Sequence, residues 1–263
     1  MRLVVKIGGS VLSEGLEGLI GDLKGMKGVV LVHGGGREVT EVAKRMGKEQ
    51  KYVVSPSGIR SRYTDLETLE IFVMVMAGKI NKWIVSSLNS AGIDAVGLCG
   101  VDGRLMVAKR KKRLIAVERG RRRFIDGGYT GKIVEVNPEL IGSLLEMGYT
   151  PVVAPIAYGT EGEMLNVDGD RAAAYVAAGI KADCVVFLTD VDGVFLDGGL
   201  VRRLKLSELD EVMARVGFGM KNKVLASKEA LSMGVKRAVI SSGLVDRPLN
   251  RALEGRGTVI EVG

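Results

Sequence analysis

The 263-residue chain predicts an α/β fold built on parallel strands, as one large domain or two intimate lobes. Three observations carry this. Leu3-Val4-Val5-Lys6-Ile7 and Val29-Val30-Leu31-Val32-His33 are runs rich in β-branched apolar residues, the composition of strands buried on both faces. Each run breaks into glycines, Gly8-Gly9 and Gly34-Gly35-Gly36. Helical spacing then alternates with further apolar runs to the end of the chain.

The glycines define the first candidate site. Successive amides with no side chain in the way form an anion cradle at the ligand-binding edge of an open α/β sheet, more so where a helix begins. Lys6 stands two residues before Gly8, so its ammonium can enter the same space. A single glycine turn is ordinary turn chemistry. Two together, one with a lysine and one with three glycines, point to phosphate handling. No Gly-x-x-x-x-Gly-Lys-Ser/Thr loop and no protein-kinase signature occurs.

In chain order, an amphipathic helix is expected over 16–24, and another over 38–46 with its amino end facing whatever the glycines bind. Residues 52–56 are short and extended. They lead to Ser57-Gly58-Ile59-Arg60-Ser61-Arg62-Tyr63, whose arginines either clamp a carboxylate or phosphate or belong to a solvated loop. Thr64-Asp65-Leu66-Glu67 has the form of a capping box opening a long helix to about residue 89. Leu66, Leu69, Val73, Met76, Ile80, Ile84 and Leu88 keep helical spacing there. Phe72, Val75 and Trp83 broaden the stripe into a surplus face suited to a subunit contact.

A strand over 95–98 ends at Val101-Asp102-Gly103, and the alternating segment 104–132 reads as a hairpin excursion with charged tips, including 119–123. A helix over 138–147 and a strand over 151–155 resume the alternation. Leu165-Asn166-Val167-Asp168-Gly169-Asp170 then leads into an Ala-rich helix, with Asn166 and Asp170 projecting toward one cavity. Asp170 either organises lysines or caps the helix. The strand over 185–188 exits at Thr189-Asp190-Val191-Asp192-Gly193-Val194, placing acids and glycine again at the ligand edge. Gly217-Phe218-Gly219-Met220-Lys221-Asn222-Lys223 introduces a helix to 233, and strands over 237–240 and 257–262 close the sheet.

The net charge of +7 is concentrated: residues 104–132 hold eleven Lys/Arg against Glu118 and Asp126, a local +9. The remainder is therefore slightly acidic, at about −2. Lys79 and Lys82 interrupt the best apolar helix, so no uninterrupted run of about 20 apolar residues occurs. The first residues enter a strand with no signal-peptide pattern. Cys99 and Cys184 lie in apolar stretches without Cys-x-x-Cys, as buried reduced thiols of a cytoplasmic protein would. His33 is the only histidine, which excludes a multi-histidine metal site, and no protein metal site is expected.

Six pieces stand in one order: Lys6-x-Gly8-Gly9, His33-Gly34-Gly35-Gly36, Arg62-x-Thr64, Asn166-x-x-x-Asp170, Thr189-Asp190-Val191-x-Gly193-Val194 and Gly219-Met220-x-x-Lys223. In this register the whole chain resembles the amino acid kinase family, in its acetylglutamate-kinase branch. The resemblance implies a three-layer αβα sandwich with an open, mostly parallel sheet, an acyl-substrate lobe over 1–160 and a nucleotide lobe over 161–263. It implies phosphorylation of a carboxylate, carbamate or phosphate by ATP with Mg2+. Lys6 and Lys223 would stabilise the transferring phosphoryl group and Asp170 would orient them. The amides of Gly8, Gly9, Gly35 and Gly36 would cradle that group, Gly35 and Gly36 on the substrate side and Gly8 and Gly9 on the nucleotide side. Arg62 and Asn166 would hold the amino-acid end of the substrate. Thr189, Asp190, Asp192, Gly193, Val194 and Met220 would line the nucleotide site. Phosphoryl transfer needs positioning and charge neutralisation more than a covalent nucleophile, which suits a chain with one histidine.

Within the branch, Ser57-Gly58-Ile59-Arg60-Ser61-Arg62-Tyr63-Thr64, Lys109-Arg110-Lys111-Lys112-Arg113 and Gly128-Tyr129-Thr130-Gly131 resemble the kinases of amino acids bound to an acidic amino-group carrier protein of the LysW type. These act on α-aminoadipate or glutamate in lysine and arginine biosynthesis. Arg110, Lys111, Lys112 and Arg113 would dock the carrier, giving the cationic hairpin a physical use. A free N-acetylglutamate kinase is the alternative and needs no such surface. A uridylate or isopentenyl-phosphate kinase fits the Arg62 and Asn166 contexts less well. A nucleic-acid-binding role is disfavoured because only Phe124 and Tyr129 supply aromatic surface near the basic segment. The expected assembly is a homodimer, with neither nucleic acid nor membrane as a partner.

Overall fold

The computed structural model describes residues 1–118 and 121–263. Arg119, part of the expected charged tip, lies outside the described residues. Alternation along the Leu3–Ile7 strand decides the architecture, because successive side chains leave a strand on opposite faces. Leu3, Val5 and Ile7 pack with the helices Glu17–Leu23, Gly36–Arg45, Leu66–Ser90 and Pro248–Leu253. Val4 joins the opposite core, with the helices Pro138–Glu146, Gly169–Gly179, Leu209–Arg215 and Phe218–Ser232. The result is the expected three-layer αβα sandwich.

Leu3–Ile7 runs parallel to Val29–His33 on one side and Cys184–Thr189 on the other. In these registers Ile7 lies beside both His33 and Leu188, so three strands end together and their exits share one edge. The sheet continues parallel through Arg237–Ser242 in one direction and Thr150–Gly159 in the other. Ala95–Gly100 and Met106–Arg110 also run parallel to Thr150–Gly159. Within this sheet the antiparallel pairs among the described residues are Thr258–Glu261 against Arg237–Ser242, Met164–Asn166 against Thr150–Gly159, and Gly131–Val136 against Met106–Arg110.

That last pair is the base of the basic excursion. Beyond it, Arg113–Glu118 pairs with Arg121–Asp126, setting Arg113 opposite Asp126 and Ile115 opposite Phe124. The expected hairpin is therefore a two-stranded ribbon rooted in the main sheet.

The long helix departs from its expected form at two places. Its cap is Asp65, whose Oδ1 accepts the Thr68 N–H at 2.8 Å, and the capping box is not formed. Thr64 is buried and Glu67 instead binds Lys48 at 2.6 Å. Midway, Met74–Ile80 is a π-helical segment, whose wider turn shifts the apolar register. Ile71, Phe72 and Val75 join the core, while Leu66, Met74 and Trp83 are exposed. By length and hydropathy the 25-residue Leu66–Ser90 helix passes the test for a bilayer span despite Lys79 and Lys82. Its buried stripe nevertheless lies on the sheet, as in a core helix.

Cys99 and Cys184 are buried free thiols. Burial pushes Cys99 up to about 11 and Cys184 up to about 12. The short helices Gly9–Glu14, Leu209–Arg215 and Pro248–Leu253 have no counterpart in the sequence expectation.

Candidate active site

The two glycine turns meet backbone to backbone. A Cβ on Gly9 would lie 3.2 Å from the Gly35 nitrogen, and one on Gly34 would lie 3.2 Å from the Gly9 nitrogen. The π segment covers the second turn, where Gly35 has φ +148° and a Cβ would run into the Ile80 and Met76 side chains. Gly9 and Gly36 each open a helix, so their N–H groups have no intrahelical acceptor and face the shared edge. Gly8 differs from the expected cradle: its N–H donates to the Leu188 carbonyl at 2.9 Å, tying the first turn to the neighbouring strand.

Lys6 reaches this edge from the centre of the sheet. Its Nζ lies 2.6 Å from Asp170 Oδ1, and Lys223 Nζ lies 3.5 Å from Asp170 Oδ2. Burial works against ionisation of Asp170, but the Lys6 and Lys223 charges outweigh it and hold the carboxyl below its ordinary value. The helix-cap reading of Asp170 does not hold, because Asp168 is the cap and accepts the Arg171 N–H at 2.9 Å. Asp170 sits in the first turn of that helix, between the lysines. The buried Lys6 and half-buried Lys223 ammonium groups flank Asp170 beside free amides, with the Asp168 carboxyl also lining the cavity, and these cations and amide donors suit developing phosphoryl charge.

From Lys6 and Asp170 a cavity of about 690 Å³ extends past Gly35 and Gly36 to Arg62 and Asn166. Arg62 is buried and donates to the Gly36 carbonyl at 2.7 Å, to Thr40 Oγ1 at 3.0 Å and to Gln50. No carboxylate ion-pairs with it among the described residues, so its charge is available to a substrate anion. Arg60 is exposed and lines the same cavity, its guanidinium 4.0 Å and that of Arg62 5.2 Å from the Tyr52 ring centre. Asn166 donates to Thr64 Oγ1 at 2.8 Å and shares the cavity with Arg62.

The strand exit from Thr189 gathers on the Lys223 side. Thr189 Oγ1 donates to Asp190 Oδ1 at 3.1 Å. Burial raises the Asp190 carboxyl, but its own N–H and the Thr189 and Ser10 hydroxyls more than reverse this, so its pKa is lowered. Asp192 is exposed, and Gly193 packs so closely that a Cβ would lie 2.5 Å from Thr258 Oγ1. Val194 is buried, with its N–H donated to Thr258 Oγ1 and its carbonyl taken by Val201, so it props this loop from beneath. Met220 is half-buried against the core.

The basic cluster expected to form one docking face divides in two. Arg110 folds back, donating to the Gly128 carbonyl at 2.6 Å and stacking 4.2 Å from the Tyr129 ring centre. Lys111 turns into the cavity, where burial and the Arg171 charge lower its pKa. Lys112 and Arg113 face solvent, Lys112 pairing with Glu161 at 2.7 Å. Leu114 and Ile115 join Lys111 in the cavity wall.

His33 lies buried behind the second glycine turn. Its Nδ1–H donates to the Gly34 carbonyl at 2.9 Å and its Nε2 accepts from Asn81 at 3.3 Å. Burial pushes it down to about 4, so it is a neutral strut behind the glycine turn. Sequence reasoning missed Asn222, which lines the cavity and binds Asp168 at 3.2 Å. Its place beside Lys223 on the helix was the available signal.

The family model described as amino acid kinase family matches residues 1–242. A relative from Nitrosopumilus maritimus is 53% identical, covering 98% of this chain and 99% of its own. The LysW-aminoadipate/LysW-glutamate kinases of Metallosphaera sedula and Saccharolobus solfataricus are 49% and 46% identical, over 98% and 99% of this chain and 99% and 100% of theirs. Among solved structures, N-acetylglutamate synthase from Neisseria gonorrhoeae superposes with TM-score 0.81 at 26% identity, covering 99% of this chain, which spans 59% of that longer one. Carbamate kinase from Giardia lamblia, at TM-score 0.67 and 16% identity over 99% of this chain and 98% of its own, shares the fold. With a family model over most of its length and full-length relatives near half identical, this chain belongs to the amino acid kinase family and is a phosphotransferase.

Proposed function

We propose that the protein uses ATP to phosphorylate the side-chain carboxylate of α-aminoadipate, and of glutamate, carried on an acidic LysW-type protein. The product is an acyl phosphate of lysine biosynthesis and, where glutamate is the substrate, of arginine biosynthesis. One observation carries this reading: the cavity that starts at Lys6, Asp170 and the glycine turns is walled by Lys111, Leu114 and Ile115 of the basic hairpin. A free N-acetylglutamate kinase has no use for such a wall. The names of the full-length relatives support the same choice.

In this reading a carboxylate oxygen attacks the γ-phosphorus, the new O–P bond forms as the bond to ADP breaks, and no proton changes hands at the nucleophile. The substrate carboxylate is already ionised near neutral pH, so no general base is needed. Lys6 and Lys223 neutralise the transferring group while Gly9, Gly35 and Gly36 donate amides to it. Arg62 and Asn166 hold the α-carboxylate end. ATP lies in the 161–263 lobe against Thr189, Asp190 and Met220, with Gly8 and Gly193 shaping the turns around it.

No group of three or more His, Cys, Asp or Glu able to cage a metal occurs among the described residues. Mg2+ bound with the nucleotide would supply charge neutralisation at its phosphates. Exposed Leu66, Met74 and Trp83 on the long helix are the surface offered to a second copy in a homodimer. The buried, reduced cysteines suit a cytoplasmic setting.

Hydroxylamine trapping tests the reaction. Carrier-bound aminoadipate incubated with enzyme and ATP should yield a carrier hydroxamate, seen by intact mass. ADP release without hydroxamate would contradict an acyl phosphate product.

A further inference from the structure

Besides Asn222, which Asp168 holds on the far side, two neighbouring polar groups on the ribbon side of the cavity have no task in the mechanism. Thr130 Oγ1 is buried and has no hydrogen-bond partner. The Lys111 ammonium lines the same cavity, and no carboxylate pairs with it among the described residues. The two residues are neighbours across the ribbon, since the Lys111 N–H donates to the Thr130 carbonyl at 2.9 Å.

Their position is rigidly built. The Tyr129 N–H donates to the Thr64 carbonyl at 2.7 Å, and the Asn166 N–H donates to the Tyr129 carbonyl at 2.9 Å. Gly131 leaves no room for a side chain, a Cβ there lying 3.0 Å from Ala108, Leu165 and Val167. The turn is thus pinned to the segments that carry Arg62 and Asn166, while Lys111 comes from the basic ribbon. A buried hydroxyl without a partner and a desolvated ammonium without a counter-ion are costly unless a ligand completes them.

We propose that Lys111 and Thr130 form a subsite for the carrier's own peptide, binding an acidic residue beside the amide that joins carrier to amino acid. This rests on the carrier-bound reading above. Lys6 and Lys223 serve the phosphoryl group, and Arg62 and Asn166 serve the amino acid, which leaves this pair for what lies beyond the acylated α-amino group. A free N-acetyl substrate presents only a methyl there and cannot complete either group. The ribbon thereby contributes to substrate selection inside the cavity as well as to encounter outside it.

The test measures Lys111→Met and Thr130→Val with carrier-bound aminoadipate, free N-acetylglutamate and ATP as varied substrates. Each should raise KM for the carrier-bound substrate about tenfold, as for a lost hydrogen bond or charge contact, with a smaller change in kcat. KM for ATP should stay constant, and Lys111→Arg and Thr130→Ser should recover most of the loss. An unchanged KM for carrier-bound substrate, or an equal rise for N-acetylglutamate or ATP, would overturn the subsite. Wild-type enzyme that turns over only free N-acetylglutamate would overturn the carrier-bound reading itself, and the subsite with it.

Discussion

Lys6 Nζ lies 2.6 Å from Asp170 Oδ1, joining the central strand to the first turn of the helix packed upon it. The same carboxylate faces Lys223 at 3.5 Å. Three elements are thereby fixed around one point, which lies at the carboxyl edge of the sheet.

Lys6→Ala and Lys223→Ala should each lower kcat by about 10²–10³, the range for removing one preorganised stabiliser of developing charge. Circular dichroism should show the fold retained. An unchanged kcat in either variant would contradict the two-lysine arrangement. Asp170 adds a pH signature. Its folded pKa lies below the ordinary 3.8, so its contribution to stability is present above that value and is lost as pH falls through the folded one. Asp170→Asn should flatten that acid-side loss in urea unfolding.

His33 gives a clean second titration, because it is the only histidine. Buried and pushed down from 6.5 to about 4, it stays neutral while an unfolded chain would protonate. The His33 contribution to stability should therefore fall as pH drops from 6.5 to 4 and level off below, by roughly 3 kcal/mol in total. The imidazole proton resonance should begin to shift only near pH 4. A midpoint near 6.5 would contradict the neutral strut.

Arg62→Lys is not a conservative change at this site. The guanidinium holds Gly36, Thr40 and Gln50 together, a geometry that a point-charge ammonium cannot reproduce. The variant should raise KM for the amino-acid substrate at least tenfold and lose about 1–3 kcal/mol of stability through unpaired buried groups. Equal KM values in steady-state kinetics would remove Arg62 from the substrate site.

Much of this arrangement was legible in the sequence. The β-branched runs ending in glycines revealed the central strands and their shared edge, because buried parallel strands leave a compositional trace. Lys6 was legible from its place two residues before the first glycine turn, Asp170 was open between organising lysines and capping its helix, and Lys223 entered through the family resemblance alone. The Thr64 capping box was misread because its residues also suit Asp65 as cap, and tertiary bonding of Thr64 to Asn166 decided the matter. The π segment was invisible because a one-residue widening leaves an apolar stripe that still scans as helix. The inward turn of Lys111 was equally hidden, since a run of five basic residues carries no sign of which side chain the ribbon will bury.

The outward charges of the ribbon should act on encounter rather than on chemistry. Replacing Lys112, Arg113 and Arg122 by Glu should lower kcat/KM for carrier-bound substrate. It should also flatten the decline of that parameter between 50 and 300 mM salt, since exposed charges are screened beyond about 10 Å at 0.1 M. A salt dependence identical to wild type, followed by stopped-flow, would mean the ribbon does not steer the carrier.

The central claim is that a carrier-bound carboxylate is the substrate. Phosphorylation should be measured side by side with ATP and magnesium on carrier-bound aminoadipate, carrier-bound glutamate and free N-acetylglutamate at equal concentrations. The account predicts turnover of one or both carrier-bound forms with little or none of the free compound. Turnover of free N-acetylglutamate alone would contradict it.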